Sequence, residues 1–279
     1  MKKSVCLDWM SFTAPKIDDR TFPLLPPWES GITGKPDVPR FGYRSARKFP
    51  SGMTVMYDGA TSTMGWHYIY SGSAIKLLDE VFSDGGQHVL NWHVSQGHKC
   101  TRIDLAIDVY DAPGMLPVLQ DMAEHHEWYG TAHSATTIKS SDGKGLTIYV
   151  GSRTSERFVR IYDKAAQTGQ PGDWTRIECE VKGDSARQVA RAIVGLDIGG
   201  LSMVAYGVIE RVCRFPCASW EAVFDGEKME IGTPKIEEKQ TEAWILGQVA
   251  SAVARFEREY PNKKILERLW NAIEDKLGE

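Results

Sequence analysis

One segment, RFVRIYDKAAQ at residues 157–167, sets a tyrosine between two fixed cations. It reads as a strand running into a helix. In strict alternation Arg160, Tyr162 and Lys164 share one face, and Val159 and Ile161 the other. Two further segments repeat the pattern with acids. In TRIDLAIDVYD one face holds Arg102, Asp104, Asp108 and Tyr110, backed by Ile103, Leu105, Ile107 and Val109. In WTRIECEVK one face holds Arg176, Glu178, Glu180 and Lys182, backed by Ile177, Cys179 and Val181. Cross-strand salt bridging on an exposed sheet would account for any one of these faces. Three together, with a phenol among them, suggest carboxylates that hold a divalent cation beside a tyrosine nucleophile. Carboxylate oxygens suit Mg²⁺ or Mn²⁺, which can polarise a phosphodiester. A phenol, with its ordinary pKa of about 10, needs nearby positive charge to become a nucleophile. Arg160 and Lys164, each about 7 Å along the strand from Tyr162, are expected to supply that charge.

Spacing limits the metal set. Asp104 and Asp108 lie about 13 Å apart on a regular strand, so one ion cannot take both. The expected ligands are Asp104 and Glu178, with Glu180 third and Asp108 as the alternative to Asp104. Tyr149, in LTIYVGSR, is a rival nucleophile, but its face neighbours Thr147 and Gly151 carry no charge. No two of the seven histidines are spaced as a His-hydrophobic-His metal motif. His88, His93 and His98, and the adjacent His125 and His126, are read as surface or loop residues. DGKG at 142–145 lacks the Lys-Ser/Thr and the helix of a P-loop and reads as a turn.

The elements that must position these residues follow from pattern. SVCLDWMSFTA reads as a first strand, and residues 13–50 as a long Pro- and Gly-rich connection. MTVMYDG and GWHYIYSG form a hairpin, as do LTIYVGS and RFVRIYDK. Helices are expected in SAIKLLDEVF, capped by Ser73, in GMLPVLQDMAEHHEW with Pro117 in the first turn, and in DSARQVARAIVG, capped by Asp184 or Ser185. The fold class is therefore α+β: a largely antiparallel sheet with helices on one face and an exposed charged face carrying the site. Strands near 102–110, 157–164 and 174–182 are expected to be neighbours. Residues 1–225 form the main domain. Residues 226–279 form a linker and two amphipathic helices broken at Pro261, one striped by Ile245, Val249, Val253 and Phe256, the other by Leu266, Leu269, Trp270, Ile273 and Leu277.

Bulk properties bound the rest. The chain has 279 residues, 42% hydrophobic and 25% charged, with net charge −4. No apolar run reaches 18 residues, which excludes a helical membrane span. Five scattered cysteines read as reduced thiols in a cytoplasm. An acidic balance argues against a nucleic-acid binder, but residues 221–279 carry thirteen acids and nine bases, leaving 24 of each in residues 1–220. Local patches decide what that neutral portion attracts.

At these residues the chain resembles the replication initiation factor family. The matching pieces, in order over roughly residues 5–190, are CLDWMSFT, WHYIYSG, TRIDLAIDVYD, TIYVGSR…RFVRIYDK and WTRIECEVK. The resemblance implies a rolling-circle initiator of plasmid or phage type, an endonuclease that nicks one strand at an origin. Its tyrosine would become linked to the 5′-phosphate and leave a free 3′-OH. Carried over, Tyr162 is the tyrosine, with Arg160 and Lys164 beside it. Arg176, Glu178 and Lys182 match the pattern R-x-E-x-x-x-K, and Asp104 lies in the R-hydrophobic-D strand. The expected DNA contacts are Arg102, Arg153, Arg176 and Lys182. The expected partners are single-stranded or hairpin origin DNA, a host helicase and a second copy in a homodimer. The rival implication is a catalytically silent origin-binding protein on the same fold.

Overall fold

The computed structural model describes residues 1–15, 24–140, 145–231, 250–260 and 264–277. Contacts divide the chain into Met1–Thr233 and Pro234–Glu279. In the first unit the described strands are β1 (Lys2–Ala14), β2 (Lys35–Pro36), β3 (Tyr43–Lys48), β4 (Thr54–Gly59), β5 (Trp66–Tyr70), β6 (Lys99–Tyr110), β7 (Ala135–Lys139), β8 (Leu146–Val150), β9 (Arg157–Asp163) and β10 (Trp174–Lys182). They make one sheet in the order β2-β3-β4-β5-β1-β6-β10-β9-β8-β7, and every pairing is antiparallel. The helices are α1 (Gly72–Val81), α2 (Gly85–Ser95), α3 (Met115–Glu124), α4 (Lys164–Thr168), α5 (Gly183–Ile193), α6 (Ile198–Val212) and α7 (Ala218–Val223).

The alternation decides which face is covered. Ile103, Leu105, Ile107 and Val109 of β6, Ile177, Cys179 and Val181 of β10, and Val159 and Ile161 of β9 all enter one core. Helix residues Ile75, Leu78, Leu119, Val189, Ile193, Val204 and Val208 close over it. Burying that many aliphatic side chains, at roughly 1.5–3 kcal/mol each, holds the helices to this side. The opposite, charged face is left to α4, the hairpins and its own long side chains.

Local expectations meet specific differences. The cap of α1 is Ser71, whose Oγ accepts from Ala74 N at 3.4 Å, not Ser73. The N-terminus of α5 is capped from a distance. Neither Asp184 nor Ser185 caps it. Instead both their backbone N–H groups donate to the Glu156 carboxylate, each at 3.2 Å. Gly183 (φ +59°) makes this possible, since a Cβ there would lie 2.6 Å from Glu156 Oε1. The connection at 13–50 contains β2 and β3, and three helices not anticipated, α2, α6 and α7, contribute to the core.

In the second unit, α8 (Ala250–Glu259) and α9 (Ile265–Leu277) are both helical as expected, and Phe256, Leu266, Leu269 and Trp270 are exposed on them. Ile245, Val249 and the break at Pro261 lie outside the described residues, as does most of DGKG. Among the described residues no helix is long and apolar enough to cross a membrane.

Candidate active site

The register brings the three charged strands together. Across β6 and β10, Glu180 faces Asp104, Lys182 faces Arg102, and Arg176 faces Asp108. Across β10 and β9, Glu178 faces Arg160 and Arg176 faces Tyr162. Asp104 and Glu178 are therefore diagonal neighbours on one side of the sheet, as the alternation predicts.

Two ion clusters result. In the first, Arg102 grips Asp104 with two donors, Nε at 2.8 Å and Nη2 at 2.5 Å, and reaches Glu180 at 2.8 Å. Arg160 Nη2 donates to Glu178 and, at 3.4 Å, to Asp104. Lys182 lies 3.3 Å from Glu180 and donates to the Arg153 carbonyl. In the second, Arg176 makes a two-donor pair with Asp108, both bonds 2.7 Å, and a further bond to Asp8. Trp174 Nε1 donates to the same Asp108 at 2.7 Å. Asp108 thus serves Arg176 and stands apart from Asp104. Asp8 is a site residue that sequence reasoning missed. It sits at a bulge where β1 slips register against β6 between Leu7 and Trp9, so that Asp8, on the face of Ser4 and Cys6, is followed by Trp9 on the same face.

Tyr162 lies between the clusters. It is 8% exposed, and its hydroxyl donates to Glu178 Oε2 at 3.0 Å. Its electrostatics oppose the expectation from spacing. Burial, and then the Glu178 carboxylate, push its pKa well above the ordinary phenol value, with Arg176 acting in the lowering direction. The two strand neighbours are engaged elsewhere: Arg160 faces the carboxylates, and Lys164 Nζ donates to Gln167 at 2.7 Å while lying 5.6 Å from the Tyr162 ring centre. The phenol is thus hydrogen-bonded to a carboxylate and shifted away from ionising by itself.

Beside Tyr162 a groove of about 710 Å³ opens, lined by Thr147, Tyr149, Arg160, Tyr162, Gln167 and neighbouring residues of α4 and the β7–β8 hairpin. Tyr149 pairs across β8–β9 with Arg160 and lies 4.7 Å beneath the Arg153 guanidinium. Both tyrosines therefore face one groove, with Arg160 at its wall and Arg153 reaching it through the Tyr149 ring.

The carboxylates fit a hard cation only as a pair. Asp104 and Glu178 are within hydrogen-bonding reach, and burial first, then the Glu178 charge, raises the Asp104 pKa, so the pair favours taking up positive charge. Mg²⁺ is commonly held by one or two carboxylates together with substrate phosphate. Among the described residues no three His, Cys, Asp or Glu side chains are placed to hold a metal ion.

Two histidines depart from the surface expectation. His93, on α2, and His98 are buried; their Nδ1 atoms are 2.8 Å apart, and His93 Nε2 lies 3.0 Å from the Tyr70 hydroxyl. Phe12 stacks on His93 with ring centres 4.0 Å apart. An aromatic core that satisfies both rings draws them inward. His88, His125 and His126 are exposed.

Two replication initiation proteins of Staphylococcus aureus are 30% and 29% identical to the chain over 106 residues, 35% of this chain and 30% of each relative. The match therefore spans under a third of those relatives' length. A rolling circle replication initiator protein from Geobacillus stearothermophilus superposes with a TM-score of 0.58 at 21% identity, over 87% of this chain and 92% of that one, and so shares the fold. The sequence profile for replication initiation factors matches residues 98–269, which takes in β6, β9, β10 and the whole Asp104–Tyr162–Glu178 cluster; the chain belongs to the replication initiation factor family.

Proposed function

We propose that this chain starts rolling-circle replication by nicking one strand of origin DNA with Tyr162 as nucleophile. The observation that carries the reading is the 3.0 Å bond from the Tyr162 hydroxyl to Glu178 at the wall of an open groove. In the reaction, the Tyr162 oxygen forms a bond to the scissile phosphorus as its proton passes to Glu178. The bond from phosphorus to the 3′ oxygen breaks, and that oxygen takes a proton from water. The products are a 5′-phosphotyrosine and a free 3′-OH. Because burial and the Glu178 charge disfavour free phenolate, the proton leaves only as the bond to phosphorus forms, and Glu178, 3.0 Å away, is the acceptor within reach. Arg160, with Arg153 and Lys164 near the groove, orients the phosphate by charge-assisted bonds. Arg102 and Lys182, 28% and 30% exposed, set the positive charge over the rest of the face, whereas Arg176 is buried between Asp108 and Asp8 and holds the face together instead of contacting DNA. Asp104 and Glu178, with Glu180 beside them, supply the oxygens that would hold Mg²⁺ or Mn²⁺. When bound, that ion would draw charge from the non-bridging phosphate oxygens.

The test is an SDS-resistant adduct formed on supercoiled origin DNA with Mn²⁺. Wild type should form it and Tyr162→Phe should not. Loss in Tyr149→Phe with retention in Tyr162→Phe would move the nucleophile to the neighbouring strand. Origin binding without any adduct from wild type would make the chain a silent binder.

A further inference from the structure

The charged face continues past Tyr162 to the far end of the sheet. From β6 it passes to β1, where Trp9 faces Asp104 and Ser11 faces Arg102, and then to β5, where Thr13 faces His67. The Arg102 guanidinium lies 4.8 Å over the Trp9 ring. Beyond Trp9 stand three rings. Tyr43 stacks on His67 at 6.1 Å with planes 20° apart, and Phe41 meets the same imidazole edge-on at 5.7 Å.

Phe41 is the unusual member. Its backbone is left-handed, φ +56°, a conformation that a large L side chain rarely adopts. Yet its side chain gains little burial in return, being 69% exposed. Strain held for an exposed ring points to a use outside the fold. The charge around it points to the ligand. Residues 35–48, KPDVPRFGYRSARK, hold five cations and one acid in a chain whose net charge is −4. Lys35, Arg40, Arg44 and Lys48 are exposed. The one acid paired with Arg44, Asp58, is itself exposed and 3.6 Å away, a weak and exchangeable contact. All of this lies outside residues 98–269, the part matched by the family.

We propose that Phe41, Tyr43 and His67, rimmed by Arg40, Arg44 and Lys48, form a stacking site for single-stranded DNA running across the sheet from the Tyr162 groove. This rests on the reading that the groove takes DNA, and it adds the direction in which the strand leaves it. Rings that stack bases beside cations that track the backbone are how single strands are held without sequence readout. Six strand-to-strand steps separate β9 from β3, roughly 29 Å. At the rise of one duplex strand that is about eight nucleotides, and fewer if the strand is stretched.

The experiment measures anisotropy of labelled single-stranded oligonucleotides on the full chain. One covers only the cleavage site, and others extend it by about eight nucleotides on the 5′ or the 3′ side. Wild type should bind one of the extended strands more tightly than the short one. Phe41→Gly suits a left-handed backbone and should leave the thermal midpoint no lower. It should weaken the preferred long strand about 5- to 150-fold, the loss expected for one stacked base, with short-strand binding and adduct unchanged. Phe41→Tyr should restore affinity. Arg44→Gln should reduce the salt slope on the long strand by about 0.7. Equal affinity of Phe41→Gly and wild type for the long strand would overturn the proposal, as would a wild type indifferent to both extensions. A wild type that binds no oligonucleotide and forms no adduct would bring down the DNA reading with it.

Discussion

The bond between Tyr162 and Glu178 can be tested apart from activity by a double-mutant cycle. A hydrogen bond to a charged group contributes about 1.5–3 kcal/mol. Tyr162→Phe removes one such bond, at 3.0 Å, and also relieves the buried hydroxyl, so a net loss of about 1–2 kcal/mol is expected. Glu178→Gln is costlier. Its amide oxygen can accept from Arg160 while its nitrogen donates to the Tyr162 hydroxyl, so what is lost is the carboxylate charge facing Arg160. Arg160 then keeps only one charged partner among the two, Asp104 at 3.4 Å, and the expected loss is about 3 kcal/mol, partly offset because Asp104 no longer faces a second carboxylate. The double variant should cost less than the sum by about 1–2 kcal/mol, the energy of the one shared bond. Urea unfolding of the four proteins measures this. Additivity to within about 0.5 kcal/mol would show that the bond carries no weight.

The same pair separates nucleophile from proton acceptor. Tyr162→Phe should form no adduct at any pH. Glu178→Gln should nick about 10²- to 10⁴-fold more slowly near neutrality, the usual cost of a lost general base. Its rate should then climb with pH, because removing the carboxylate lowers the phenol pKa and hydroxide can replace the missing acceptor. Nicking by Glu178→Gln at the wild-type rate at neutral pH would refute the assignment of Glu178 as acceptor.

Other outcomes follow from neighbouring contacts. Asp108→Ala leaves Arg176, 6% exposed, with only Asp8 and should cost about 3–5 kcal/mol by urea unfolding; its adduct under folding conditions should keep the wild-type metal requirement, since Asp108 serves the arginine. Lys164→Ala should leave the pH optimum of nicking unmoved, because Lys164 is not among the leading influences on the Tyr162 pKa; a shift of a full unit or more would restore the reading from strand spacing. Burial lowers the His98 pKa to about 4, so stability it contributes is present above about 6.5 and lost as pH falls toward 4; one residue accounts for up to about 3 kcal/mol, and His98→Gln should flatten that acid limb of the urea midpoint.

How much of this is legible in the sequence depends on whether the deciding partner is near in the chain. The strands β6, β9 and β10 are legible because a period of two separates aliphatic from charged residues along each, and the register then places those faces together. Helix α6, IGGLSMVAYGVIERV, is apolar almost all round and so lacks the polar stripe that marks a helix period. Helix α2 hides for a related reason, with its core-facing side including His93 as well as Val89 and Leu90. The sign of the Tyr162 shift is not legible at all. Along the strand its nearest charges are Arg160 and Lys164, but the side chain that bonds it comes from β10, sixteen residues away. Asp8 is hidden because its partner, Arg176, is 168 residues away in the chain.

The geometry also shows how an acidic chain can present a positively charged face, as the proposed function requires. Cations and acids on that face are about equal in number, but they differ in depth. The side chains of Arg102, Arg160 and Lys182 are 28%, 25% and 30% exposed, while those of Asp104 and Glu178 are 1% and 3%. The carboxylates hold the arginines in place from below, and the guanidinium and ammonium groups meet the solvent. A phosphate approaching from the groove therefore meets positive charge first, at short range, whatever the net charge of the whole. Under the proposed function, an arriving strand would draw Arg160 from the Asp104–Glu178 pair and leave the uncovered negative charge for a divalent ion or for the Tyr162 proton. Buried acids under exposed arginines would in that way couple substrate arrival to the proposed chemistry, which a face of solvated, mixed charges could not do.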